Sequence, residues 1–126
     1  MLNHSGDRAG AIYDGGAVRT PAGFAAAYRD WTSGGWNGVT APEAFGGADL
    51  PVLLGSALME IWTSANMGFA TCPVLTHGAV DALLAHASPA LQQHYLPRLV
   101  SGEWTATMNL TEPQAGSDLS LLRCRA

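Results

Sequence analysis

The sequence predicts a mainly α-helical chain: a helical bundle over residues 20–103, followed by the first strand or strands of a β domain over residues 104–126. Apolar residues recur at helical spacing in each segment up to Ser101. Capping and helix-ending residues punctuate those segments where helices need them. After Gly102 the apolar period switches from helical spacing to two, the alternation of a strand.

Residues 1–19 are polar and Gly-rich without a period, and they read as an irregular arm. Thr20-Pro21 offers a cap and a proline at the first helical position, and Phe24, Ala27, Tyr28 and Trp31 then share one face. Gly34-Gly35 ends that helix, and residues 36–47 are turn-rich, with Pro42 and Gly46-Gly47. Asp49 can cap the next helix, with Pro51 in its first turn. Leu54, Ala57, Leu58, Ile61, Trp62, Ala65 and Phe69 form the strongest periodic signal in the chain, and so wide a stripe predicts a buried core helix. A third helix over roughly residues 73–87 carries Val74, His77, Val80, Leu83, Leu84 and Ala87 on one side. Ser88-Pro89 restarts a helix through Leu96, Pro97 bends or restarts it, and Gly102 suits the position just past its end. Beyond it, Trp104, Ala106, Met108 and Leu110 alternate with Thr105, Thr107, Asn109 and Thr111, and a second strand is predicted over residues 119–125. One or two strands do not make a stable sheet, so the first is expected to present an unpaired edge.

Composition narrows the function. With 126 residues, 48% hydrophobic and 13% charged, the chain is long enough for one globular domain. Six arginines, no lysine and a formal charge of −4 exclude a broad electrostatic footprint for nucleic acid, while a single phosphate-bearing ligand held by backbone amides stays open. Cys72 and Cys124 are too few and too far apart for a disulfide framework or a zinc knuckle. His4, His77, His86 and His94 form no metal-ligand spacing, so no metal is expected, and His77 reads as a core or pocket-edge histidine. No signal-like apolar run opens the chain, and no stretch approaches the ~18 apolar residues of a membrane span. A soluble, cytoplasmic protein without a membrane partner is the expectation.

The chemistry concentrates in residues 108–118, Met-Asn-Leu-Thr-Glu-Pro-Gln-Ala-Gly-Ser-Asp. Pro113 stiffens the start of the loop, Gly116 permits a close backbone approach, and Ser117 and Asp118 offer a hydroxyl and a carboxylate. On residue chemistry alone this is ordinary hairpin-turn material, with a ligand held by main-chain N–H groups and by the Thr111 and Ser117 hydroxyls as the alternative.

The stretch Thr111-Glu112-Pro113-Gln114-Ala115-Gly116-Ser117-Asp118 resembles the TEPxAGSD signature of the flavin-dependent acyl-CoA dehydrogenase family. Trp36-Asn37-Gly38, Pro42-Glu43-Ala44-Phe45-Gly46-Gly47, His94-Tyr95-Leu96-Pro97 and Ser101-Gly102-Glu103 resemble other pieces of that family in its order. Asn66-Met67-Gly68-Phe69-Ala70, Cys72-Pro73-Val74-Leu75-Thr76, Thr20-Pro21-Ala22-Gly23-Phe24 and Met108-Asn109-Leu110 are similar to the 3-methylmercaptopropionyl-CoA dehydrogenase-like subgroup.

The resemblance implies an N-terminal helical domain leading into a truncated, β-barrel-like middle domain, with residues 1–19 as the remnant of a preceding helical region. It implies α,β-dehydrogenation of an acyl-CoA thioester with FAD as cofactor. Met108, Asn109, Leu110, Thr111, Gly116 and Ser117 would then lie against the flavin, with Ser117 also touching the thioester. Thr71, Val74 and Gly78 would line the acyl pocket. The family often carries an aromatic at the position of Met108, so ring stacking there is not implied. Glu112 is a loop carboxylate in this reading, and no catalytic residue is assigned, since the family's base comes from a C-terminal helical domain. The resemblance further implies an electron-transfer flavoprotein or similar acceptor, and a homo-oligomer for the full-length enzyme. A fragment inactive by itself is thus expected. The alternative is a non-catalytic helical binding module, or a small subunit completed by a separate chain.

Overall fold

The computed structural model describes residues 2–125. Helix α1 is Leu2–Ala9, and β1 (Ile12–Asp14) pairs antiparallel with β2 (Ala17–Arg19) in the register Ile12–Arg19, Tyr13–Val18, Asp14–Ala17. The arm expected to be irregular is therefore structured. Gly15 and Gly16, at φ 58° and 92°, supply the two positive φ values of a two-residue hairpin turn. Strands of three residues that are exposed throughout carry no alternation, so the sequence pattern had nothing to show there.

Helix α2 (Phe24–Ser33) begins later than Thr20-Pro21 suggested. Gly23 adopts a left-handed conformation, and the Phe24 N–H donates to the Pro21 carbonyl, so residues 21–24 form a turn instead of a first helical turn. The expected face does point inward. Trp31 is buried and packs on Trp62 and Phe69, with ring centroids 4.0 and 5.8 Å away, while Phe24 and Tyr28 also meet Phe69.

Residues 34–50 cross the end of the bundle through two 3-10 turns, Trp36–Gly38 and Glu43–Phe45. The N–H groups of Ala48, Asp49 and Leu50 donate to the carbonyls of Gly38, Ala41 and Val39, each at 2.9 Å. Asp49 sits in that ladder at φ 48° and does not cap the next helix, whose cap position is Pro51.

Helices α3 (Val52–Ala65) and α4 (Met67–His86) divide at Asn66. The Asn66 N–H closes α3 on the Trp62 carbonyl at 2.9 Å, and its Oδ1 opens α4 by accepting the Phe69 N–H at 3.0 Å. The sequence pattern had run one helix through Phe69 and started the next at Pro73. An extended Asn acts as a cap on both sides, whereas Pro73 lies buried within α4, which continues through it.

The predicted burial of α3 fails as well. None of its residues is buried among the described residues, and Val52, Leu53 and Ile61 are 76%, 84% and 62% exposed. It packs along α4, and the rest of its wide stripe faces outward. Helix α4 averages an apolar character sufficient, by length and composition, to cross a membrane, with mean hydropathy 1.2. A search for an unbroken apolar run misses that average, because His77 and Asp81 interrupt it. In the fold, Ala70, Pro73, Thr76 and Val80 form its buried stripe.

Helix α5 (Pro89–Ser101) starts at Ser88, whose Oγ accepts the Leu91 N–H, runs unbroken through Pro97, and ends at Gly102 with φ 78°. Leu96, Leu99 and Val100 join Val80 and Ala41 in the core.

After Gly102 the chain leaves the helices without forming a strand, because no other strand pairs with it among the described residues. The second expected strand is replaced by a 3-10 turn, Leu119–Leu121. Asp118 Oδ1 accepts both the N–H and the hydroxyl of Ser120, at 3.0 and 2.6 Å, and this local side-chain bonding overrides the apolar alternation.

Candidate functional site

The site is assembled where the segment after Gly102 crosses α4 and α5. Two anchors hold its start. The Trp104 N–H donates to the Arg98 carbonyl at 3.0 Å, and the Arg98 guanidinium lies 4.5 Å from the Trp104 ring centroid. The Ala106 N–H then donates to Thr76 Oγ1 at 3.2 Å, and that hydroxyl donates in turn to the Cys72 carbonyl at 3.0 Å. Thr76 is buried within the apolar stripe of α4, so its hydroxyl is a fixed point for the segment.

Past Ala106 the backbone is free. From Thr107 to Thr111 no main-chain N–H or C=O makes a hydrogen bond among the described residues. The segment borders a groove of about 1050 Å³, floored by Val74, Gly78, Ala82 and Leu83 and walled by Tyr95, Leu99 and Trp104. Its surface is mostly hydrocarbon, with Thr105, Thr107, Tyr95 and His86 as the lining residues that carry polar side-chain atoms.

The structure brings Val74, Gly78 and Met108 together around that groove. Beyond its own helix turn, nothing lies within 4 Å of where a Gly78 Cβ would stand, so the glycine opens onto space. Thr71 is not part of the lining; its hydroxyl donates to the Met67 carbonyl at 2.9 Å on the outer side of α4. Asn109, Leu110 and Thr111 are exposed on the continuing segment, where Asn109 Nδ2 donates to Thr107 Oγ1 at 3.1 Å. Gly116 and Ser117 are exposed on the following loop, outside the groove lining.

That loop begins with a tight turn. The N–H and C=O of Glu112 pair with the C=O and N–H of Ala115, both at 3.0 Å, and Ala115 is buried. The Glu112 carboxyl is held below its ordinary pKa by the N–H groups of Arg123 and Cys124, with the Gln114 amide adding to it. Asp118 is lowered by its bonds from Ser120.

A second cavity, of about 940 Å³, lies among α1, α2 and the start of α4, lined by Phe24, Tyr28, Asn66, Phe69 and Cys72. Burial raises the pKa of the Cys72 thiol, and burial together with Cys72 raises that of Tyr28, so neither is primed as a nucleophile at neutral pH. The Tyr28 hydroxyl donates to the Gly102 carbonyl at 2.8 Å.

His77 is half-buried and lines neither of the two cavities; its Nε2–H donates to the Asn37 carbonyl at 2.9 Å. Asn37 is itself buried and donates to the Leu99 carbonyl at 2.6 Å, tying the inter-helix turns to α5. Sequence reasoning singled out neither Thr76 nor Asn37 by chemistry. The available signal was a polar side chain on an otherwise buried stripe: Thr76 follows Pro73 by three residues and precedes Val80 by four.

Residues 13–103 match the model of the acyl-CoA dehydrogenase N-terminal domain. A 3-methylmercaptopropionyl-CoA dehydrogenase of Ruegeria pomeroyi is 47% identical over 125 residues, covering 99% of this chain and 21% of the relative. A butyryl-CoA dehydrogenase of Syntrophomonas wolfei is 32% identical over 120 residues, 93% of this chain and 20% of the relative. A mitochondrial 2-methylacyl-CoA dehydrogenase of Solanum tuberosum is 35% identical over 91 residues, 71% and 22% of the two chains. The chain thus spans about a fifth of the length of these relatives. The helical body, the signature loop and these likenesses converge: the chain belongs to the acyl-CoA dehydrogenase family, a family of flavoproteins.

Proposed function

We propose that this chain forms one wall of the active site of a flavin-dependent acyl-CoA dehydrogenase, which introduces an α,β double bond into an acyl-CoA thioester. The observation that carries this reading is the free backbone of residues 107–111, held by Thr76 beside an apolar groove and running into the Thr-Glu-Pro-Gln-Ala-Gly-Ser-Asp loop.

The residues present fit FAD. A flat ring edged with heteroatoms needs main-chain donors and acceptors at one side and an apolar surface at its face. The unpaired N–H and C=O groups of residues 107–111 supply the first, and the exposed side chains of Met108 and Leu110 supply the second. Asn109 and the Thr111 hydroxyl add polar contacts at this edge, and Gly116 and Ser117 complete the flavin and thioester side from the loop. A flavin held there would supply the hydride acceptor that the loss of hydrogen from the substrate's β carbon requires. Val74 and Gly78 receive the acyl chain, whereas Thr71, turned away from the groove, has no place in this reading. The base that takes the α-proton lies outside these residues, since the loop carboxylates Glu112 and Asp118 are committed to N–H and O–H donors. An electron-transfer flavoprotein or a comparable acceptor would reoxidise the cofactor.

The similarity to a relative named for 3-methylmercaptopropionyl-CoA points to a short, thioether-bearing acyl group. The test compares the 126-residue chain with any longer polypeptide its gene encodes. Each is assayed for bound flavin and for oxidation of 3-methylmercaptopropionyl-CoA and butyryl-CoA by an artificial electron acceptor. The reading expects flavin-dependent turnover in the longer protein and none in the short chain. Flavin-free protein in both arms would overturn it, and points to a non-catalytic helical module.

A further inference from the structure

We infer that Glu112 is a positioning residue: its carboxylate closes the loop that carries Gly116 and Ser117 and thereby sets where those two residues stand. The ligand half of this inference rests on the function proposed above; the loop-closing half stands on geometry alone.

Glu112 acts at both ends of the loop. Its backbone makes the paired bonds to Ala115 that form the first turn. Its side chain spans to the far end, where Oε1 accepts the Cys124 N–H at 2.7 Å and the Arg123 N–H at 3.2 Å. Oε2 accepts the same Arg123 N–H at 3.1 Å, and the Gln114 side-chain amide donates to it as well.

Little else holds the loop. Among the described residues, no hydrogen bond joins residues 113–122 to the helices; the remaining bonds are internal, from Gln114 to the Leu121 carbonyl, from Ser120 to Asp118 and from the Leu122 N–H to the Leu119 carbonyl. Gly116 has no protein atom near its Cβ direction, and Ser117 is exposed, so neither residue fixes its own position. Burial of Ala115 fixes the near end of the loop, and the carboxylate is what ties the far end, at Arg123 and Cys124, back to it. The same saturation with donors makes it a poor proton acceptor. A signature carboxylate next to the proposed site is thus explained as structural geometry for the ligand and not as a base.

The test uses Glu112→Gln and Glu112→Ala, with Glu60→Gln, exposed on α3 and away from the site, as a control that removes one surface charge elsewhere. Amide hydrogen exchange is read at Arg123 and Cys124, and flavin affinity is read by titration with FAD, in the longest natural form of the protein. Loss of the charge-assisted bonds should speed exchange at Arg123 and Cys124 by ~10-fold or more. Exchange in α4 and α5 should stay unchanged, and the FAD dissociation constant should rise by a similar factor. The control should alter neither readout. Equal exchange in wild type and Glu112→Gln overturns the loop-closing role. A loosened loop with unchanged flavin affinity overturns the positioning role. Wild-type protein that binds no FAD instead removes the proposed function and the ligand half with it, while the exchange comparison still decides the loop-closing half.

Discussion

The helical body and the segment after Gly102 are held in different ways. In the body, Leu96 is 0% exposed and Val80, Leu99 and Val100 are close to it, so α4 and α5 are joined by many small apolar contacts. The later segment is held by a few directed bonds: one from Ala106 to Thr76, one from Trp104 to Arg98, and the cluster at Glu112. Apolar packing is non-directional and spreads its cost over many residues. Directed bonds place a backbone to within tenths of an ångström but depend on single groups. A ligand site built from main-chain atoms needs the second kind of support, on a base made of the first.

The largest expected effect tests the base. Leu96→Ala should lower stability by about 3 kcal/mol, through lost burial and the cavity left among Ala41, Val80, Leu99 and Val100, as read by denaturant unfolding. A loss well under 1 kcal/mol would show that this core does not hold the body together. Next comes the junction between the two regions. Thr76→Val keeps the shape but leaves the Ala106 N–H without its acceptor, and should cost about 1–2 kcal/mol. Its sharper signature is local: Ala106 should lose exchange protection while Leu96 keeps its own.

Gly78→Ala should produce a smaller change of opposite sign. Beyond its own helix turn the new methyl meets nothing within 4 Å, and replacing a mid-helix glycine stabilises by about 0.5–1 kcal/mol. The same methyl narrows the groove, so the KM for longer acyl-CoA substrates should rise more than that for short ones. An unchanged chain-length profile would take Gly78 out of the acyl pocket.

The smallest effect is one of pH. Glu112 and Asp118 both have folded pKa values below their ordinary ones. Their contribution is therefore complete above the unfolded carboxylate pKa and is lost as pH falls through the lower, folded values. Acidification below the ordinary carboxylate range should open the loop to proteases before the far-ultraviolet helix signal falls. Simultaneous loss of both would mean that the loop and the body unfold as one unit.

What could be read in advance follows the same division. The inward face of α2 was legible because Phe24, Ala27, Tyr28 and Trp31 repeat at helical spacing, and α5 because Ser88, Pro89 and Gly102 carry its ends locally. The break at Asn66 was hidden by an apolar pattern that runs across it, although an Asn between two apolar runs is itself a cap signal. The exposure of α3 was hidden because a wide stripe states how much surface a helix could bury, not how many neighbours it has. In the candidate site, Val74, Gly78 and Met108 were named in advance and do meet at one groove, while Thr71 was named with them and lies apart. Thr76 was passed over because its role depends on a partner thirty residues away.

The amino-acid sequence by itself determined the main helical segments, the end of the helical body at Gly102, and the signature loop that resembles the family's. Those properties depend on caps, periods and residue identities within a few positions of one another. Tertiary structure alone decided that the segment after Gly102 lies on Thr76, that its edge is left free beside an apolar groove, and that the Glu112 carboxylate closes the loop on Arg123 and Cys124. Each of these depends on a hydrogen bond between groups that chain folding must first bring together, and local pattern carries no record of that distance.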